Sequence, residues 1–324
     1  MSASTILARP TTSAAQRDSR YAILALSAFV SVLLLIVMGS IVRVTGYGLG
    51  CPDWPLCYGQ VVPPLQIAPW VEFTHRLVGA ATSLQIVALG ALAWRTSPRE
   101  AWIFRPAAAA VGLLIVQIAL GGLHVILELT PASGWIHTGV AMGIAALVAS
   151  QVAVTHPLAR RLSRRTAEMV RDRGLPVAIA TTTGAAYFLI LTGAYVTRTG
   201  ASLACPSFPA CGAEMAPGPL RTLMDIQMFH RFTAFGVALT AGLTLWRLGR
   251  AARGDSGVRA VALALAGLIV VQFGLGISNV LLRLPMWSRT LHLLVAAMLW
   301  TGLVMLWVVV RRGVHQPGAS PEGK

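Results

Sequence analysis

The stretch YAILALSAFVSVLLLIVMGSIV, Tyr21–Val42, decides the fold class. It contains no Asp, Glu, Lys or Arg. It is as long as a helix must be to cross the roughly 30 Å hydrocarbon layer of a bilayer. Seven further runs share its character: approximately Phe73–Trp94, Phe104–Leu127, Gly134–Val154, Leu175–Val196, Phe229–Leu248, Val261–Leu282 and Ser288–Val310. Arg17 and Arg20 precede the first run as they would in a signal peptide. The run is too long for a signal core and no A-x-A site follows, so it reads as a mature helix. Composition agrees. Of 324 residues, 56% are hydrophobic and 11% charged, with a mean hydropathy of +0.70. Soluble domains carry about 25% charge, so a soluble or a disordered chain is excluded. The expectation is an all-α integral membrane protein.

The net charge of +15 would suggest nucleic acid in a soluble protein. Here the basic residues sort by side instead, and no nucleic-acid partner is expected. Nineteen of the 26 lie at one end of the spans, from Arg9, Arg17 and Arg20 through the Arg160–Arg173 cluster to Arg311, Arg312 and Lys324. The other seven are Arg43, Arg76, Arg198, Arg221, Arg231, Arg283 and Arg289. Basic loops stay in the cytoplasm, so both termini are expected there. The Arg160–Arg173 run reads as a solvated linker rather than a binding patch.

The two halves repeat at an offset of 154–155 residues. Cys51 and Cys57 recur as Cys205 and Cys211, His75-Arg76 as His230-Arg231, Gln117 as Gln272, and His137 as His292. Each half holds four spans, an even number, so the halves share one orientation. The expected architecture is two repeated four-helix bundles related by a pseudo-twofold axis along the membrane normal. The divisions are a tail over 1–20, a half over 21–155, a linker over 156–174, a second half over 175–311 and a tail over 312–324.

His75, His137, His230 and His292 begin the second, fourth, sixth and eighth spans, all running inward from the extracytoplasmic side. Ionisable groups within spans are costly and mark function by default. A lone His would read as packing glue, but two duplicated pairs at one depth would not. Paired imidazoles from facing helices hold heme iron; zinc takes three or four protein ligands. Small residues (Gly79, Ala80 and Ala81 in one half, Ala234 and Gly236 in the other) offer room for a flat ring. Arg76 and Arg231 would pair with propionates or else snorkel to lipid phosphate. His124 has Asn279 as its counterpart and reads as a polar packing or supporting residue. His156 and His315 lie in cytoplasmic segments and read as bland.

The two C-x5-C pairs, Cys51/Cys57 and Cys205/Cys211, fall in extracytoplasmic loops, where disulfides persist. A structural and a redox role both stand open. Glu72 lies three residues before His75 on the same helical face, and its counterpart is the neutral Gln227. A duplicated frame with one ionisable carboxyl suggests that one half does chemistry and the other carries electrons. Glu72 is then a proton relay or, alternatively, a carboxylate stabilised at a helix N-terminus.

Eight spans in two halves, the four His, the E-x-x-H-R sequence Glu72–Arg76 and the C-P-x-x-P-x-C loops together resemble the heme A synthase family. The resemblance runs from about Tyr21 to Arg311. It implies a membrane oxidoreductase that converts the C8 methyl of heme O to a formyl group by successive hydroxylations. The product serves cytochrome c oxidase. It implies heme b as cofactor, ligated by His230 and His292 with Arg231 beside them, and heme O facing His75, His137 and Arg76. Glu72 matches the family's functional carboxylate. The cysteine pairs match loop pairs that only some members carry, which weakens the redox role. A bacterial inner membrane is expected, with lipid as surroundings and, from pathway order, association with the heme O synthase. The electron acceptor and any homo-oligomer stay unassigned. The competing readings are a diheme electron-transfer cytochrome and a transporter. The Glu72/Gln227 asymmetry argues against the first. Ionisable groups at the outer edge rather than the midplane argue against the second.

Overall fold

A computed structural model describes residues 12–169, 174–212 and 218–314. Arg9, Arg171, Arg173, His315 and Lys324 lie outside the described residues, as do parts of both terminal segments and of the linker. The described residues form nine α-helices and a short 3-10 turn (Ala201–Leu203): α1 (Thr12–Thr45), α2 (Ile67–Thr96), α3 (Ala101–Ile126), α4 (Pro131–Thr155), α5 (Pro157–Met169), α6 (Gly174–Arg198), α7 (Pro219–Ala251), α8 (Ser256–Leu281) and α9 (Met286–Val314). All but α5 contain a window long and apolar enough to span a membrane. The protein is a multi-pass membrane protein.

Helix starts differ from those expected where polar residues and proline interrupt the apolar pattern. α2 begins at Ile67, with Pro69 in its first turn, and α7 begins at Pro219. Proline suits the first turn because its missing N–H would be unpaired there anyway. Glu72 therefore lies in the second turn, and no acidic residue occupies the first. The segment read as a linker contains α5, which packs on α9 and α8. The Ser163 hydroxyl donates to the Val309 carbonyl, and Arg165 pairs with Asp255 at 2.8 Å.

Packing orders the helices by burial. In the apolar windows of α4 and α9, 67% and 56% of residues are buried, against 11–28% in the other six. These two are the central helices, and small residues along α4 (Gly139, Ala145, Ala149, Ala153) permit the close approach. α1 packs on α2, α2 on α3, α3 on α4 and α4 back on α1; the same cycle joins α6, α7, α8 and α9. The two sets meet where α4 contacts α9 and α6, and where α1 contacts α9. Hydrogen bonds cross that seam. Trp300 Nε1 donates to the Met142 carbonyl at 3.0 Å in a buried setting, and the Tyr187 hydroxyl donates to the Gly139 carbonyl at 3.0 Å.

The turns after α3 and α8 end their helices in the same way. Glu128 and Leu129, and Arg283 and Leu284, all take positive φ between 53° and 63°. The Leu129 N–H reaches the His124 carbonyl and the Leu284 N–H reaches the Asn279 carbonyl, each at 2.8 Å. This is a helix-ending motif that usually uses glycine.

Candidate functional site

The α1–α2 loop and the loop after α6 carry the disulfides Cys51–Cys57 and Cys205–Cys211. Each loop is clamped from the following helix. In the first, Glu72 Oε2 accepts the Cys51 N–H at 2.9 Å while Oε1 pairs with Arg76 at 2.5 Å. Arg76 also donates to the carbonyls of Cys51, Asp53 and Leu56. In the second, Gln227 Oε1 accepts the Cys205 N–H at 2.6 Å, its Nε2 donates to the Ser202 carbonyl, and Arg231 donates to the carbonyls of Cys205, Ser207 and Pro209. The two arginines are thus engaged by loop carbonyls rather than by lipid. Glu72 is 4% exposed and Arg231 7%. At the loop tip, Asp53 accepts the N–H groups of Gly59 and Tyr58, which hold its carboxyl below the usual carboxylate range.

Beneath the loops sit the four imidazoles, each seated on a glycine of a neighbouring helix. A methyl group added at Gly39 would lie 3.1 Å from His75 Cε1, and at Gly121 3.4 Å from that of His137. At Gly193 it would lie 2.9 Å from His230 Cε1, and at Gly276 3.4 Å from that of His292. These four glycines are at the repeat offset, a signal that the sequence carries but that the His-centred reading missed. Of the small residues expected to make room, Ala234 lines the cavity described below, whereas a methyl at Gly79 would meet Leu35 at 3.7 Å.

The hydrogen bonds of the imidazoles differ. The Thr192 hydroxyl donates to the Leu189 carbonyl, so its oxygen accepts from His230 Nδ1 at 2.8 Å. That leaves Nε2 of His230 with its lone pair free. Gln117 Nε2 stands 3.0 Å from His137 Nε2, and Gln272 Nε2 stands 3.3 Å from His292 Nε2. Nδ1 of His75, His137 and His292 has no hydrogen-bond partner. His124 stacks on His137 with ring centroids 6.2 Å apart, accepts or donates at Nδ1 with Ser133 at 2.6 Å, and meets Arg198 Nη1 at 3.3 Å.

His230 and His292 face one cavity of about 250 Å³. Phe208, Phe235 and Phe273 wall it, and Arg43, Arg198, Arg231 and Arg289 stand around it. Among the described residues none of these arginines forms an ion pair with a carboxylate. Arg43 comes from α1 and Arg198 from α6, so the two sets of helices share this site. Two imidazoles, one with a free Nε2 and one whose Nε2 meets Gln272, with aromatic walls and arginines that have no carboxylate partner, fit a flat, apolar, anionic group. Among the described residues no three His, Cys, Asp or Glu gather as a metal site.

The fold and site define a polytopic membrane protein with four half-buried imidazoles under disulfide-closed loops. The model of the cytochrome oxidase assembly protein family matches residues 22–69 and 66–304. The chain belongs to that family. It is 30% identical over 295 residues to the heme A synthase of Alkalihalophilus pseudofirmus, covering 88% of this chain and 96% of that protein. It is 31% identical over 294 residues to the heme A synthase of Shouchella clausii, covering 87% and 94%. The heme A synthase of Halalkalibacterium halodurans is 29% identical over 293 residues, with 87% and 94% covered.

Proposed function

We propose that the chain is a heme A synthase, oxidising the C8 methyl of heme O to a formyl group by successive hydroxylations. The observation that carries this reading is the set of four half-buried imidazoles at repeated positions, each seated on a glycine. The second half, with its cavity, is assigned a resident heme b held by His230 and His292. When bound, that heme supplies a redox-active iron. Thr192 fixes the tautomer that leaves Nε2 of His230 free. Gln272 must turn away from Nε2 of His292 before that nitrogen can bind a metal. Arg43, Arg198 and Arg289 offer charge to anionic substituents, work for which Arg231 is less free because the loop carbonyls already engage it.

The first half, with His75 and His137, is assigned to heme O. Glu72 holds or releases a proton at its carboxyl oxygens, beside Arg76 and one turn from His75. The amide of Gln227 cannot do so, and this difference separates a reacting half from a resident one. The two halves are read as repeats about an axis along the membrane normal, with the basic end and both termini in the cytoplasm of a bacterial inner membrane. Extraction and mass analysis of heme from cells expressing this chain with a heme O synthase tests the proposal. Heme A or its hydroxylated precursor is the expected product. Heme b bound while heme O remains unaltered would instead favour an electron-transfer protein.

A further inference from the structure

A second cavity, of about 460 Å³, lies between α7 and α8 at the basic end of the molecule. It is far from the imidazoles: Arg250 stands twenty residues along α7 from His230, about 30 Å of helix. Its floor is built from small residues, Gly242 and Gly249 of α7 facing Ala262 and Ala266 of α8. A methyl group added at either glycine would meet nothing within 4 Å. The cleft is thus open space between two helices, not a packed seam.

Its mouth is cationic. Arg250, Arg253 and Arg259 line it, and no acidic residue does. Among the described residues none of the three forms an ion pair. The acid nearest in sequence, Asp255, is buried and already accepts from the Val258 N–H and from Arg165. Arg250 is instead held over the Trp246 ring, 4.1 Å from its centroid. Tryptophan with arginine marks the level where headgroups meet acyl chains. Leu243 and Leu263 are exposed beside the cleft, as lipid-facing residues are.

We propose that this cleft is a binding site for one anionic phospholipid, its phosphate on Arg250, Arg253 and Arg259 and an acyl chain along Gly249, Gly242 and Ala266. Basic pockets between spans on the cytoplasmic side recognise such headgroups. A soluble phosphate would fill only the mouth. A zwitterionic lipid would bring its own cation against three arginines. The proposal does not depend on the heme reading.

The test uses the full-length protein in nanodiscs of phosphatidylcholine with a tenth phosphatidylglycerol, and native mass spectrometry of retained lipid. The wild type should retain one phosphatidylglycerol, enriched at least fivefold over its share. The double variant Arg250→Gln, Arg253→Gln alters exposed side chains only and should cut that enrichment by about fivefold or more. Gly249→Leu places a side chain in the open cleft and should abolish retention without removing a charge. Retention in bulk proportion by the wild type would overturn the proposal. So would an unchanged enrichment in Gly249→Leu, or full displacement of the lipid by free glycerol 3-phosphate. Should Gly249→Leu not fold, the arginine pair decides alone.

Discussion

Glu72 and Gln227 perform the same mechanical task with different chemistry. Each accepts the N–H of the first cysteine of its loop. The second half thereby shows that an amide suffices for the clamp. Glu72→Gln should keep the loop and the thermal stability of the protein while lowering formyl-heme yield at least 100-fold, the lower range for a proton-transferring group. Wild-type turnover in that variant would remove Glu72 from the chemistry. Glu72→Ala should also destabilise, by about 1–3 kcal/mol, because the buried Cys51 N–H and Arg76 lose their acceptor. At His230 the supporting hydroxyl is the informative position. Thr192→Val removes the acceptor of Nδ1, and heme content after purification should fall about 10-fold, as is usual when the group orienting a ligand is lost. An unchanged heme spectrum would show that the tautomer is fixed elsewhere. The imidazoles and the cysteines were legible in the sequence because rare residue types repeat conspicuously, and Glu72 because it breaks that repeat against Gln227. Thr192 was not, since its counterpart is Met38 and no repeat signals it.

At the level of helices, the glycine seats grade themselves. A methyl at Gly193 would crowd His230 at 2.9 Å, whereas one at Gly276 would reach His292 at an ordinary 3.4 Å. Gly193→Ala should therefore lower heme retention severalfold and Gly276→Ala should be tolerated; equal losses in both would mean that the seats do not set the imidazole positions. The spans themselves could be read from hydropathy, because lipid demands about 20 apolar residues wherever a helix crosses. Their outer ends could not, because Pro69, Glu72 and Gln227 belong to helix turns that hold loops. α5 escaped for a related reason. Its arginines look like a solvated linker, yet Ser163 and Arg165 tie it down. Asp255 caps α8 through the Val258 N–H and pairs with Arg165, and both keep its carboxyl below the usual aspartate range. A folded pKa below the unfolded one gives stability that is complete above the ordinary value near ~3.9 and is lost as pH falls through the lowered one. The melting difference between wild type and Asp255→Asn should therefore be largest near neutral pH and shrink below pH ~4. A constant difference would assign the effect to packing.

Across the whole molecule, the second-half cavity is not the property of the second half. Arg43 reaches it from α1, with Arg289 of α9 near by. On the proposed assignment of heme b to this cavity, Arg43→Gln should weaken heme retention severalfold while leaving His230 and His292 untouched. Loss confined to the first-half substrate, with heme b intact, would contradict that placement. The seam that joins the halves has a consequence for traffic. Trp300 and Tyr187 donate across it to carbonyls of α4, inside the apolar layer. No water is there to replace a broken bond. Rocking of one half against the other, by which many duplicated membrane proteins expose a site alternately to two sides, would tear these bonds. Duplication here makes a rivet, not a hinge. For a broad, greasy molecule of the kind proposed here, a sideways approach from the lipid asks for no such breakage.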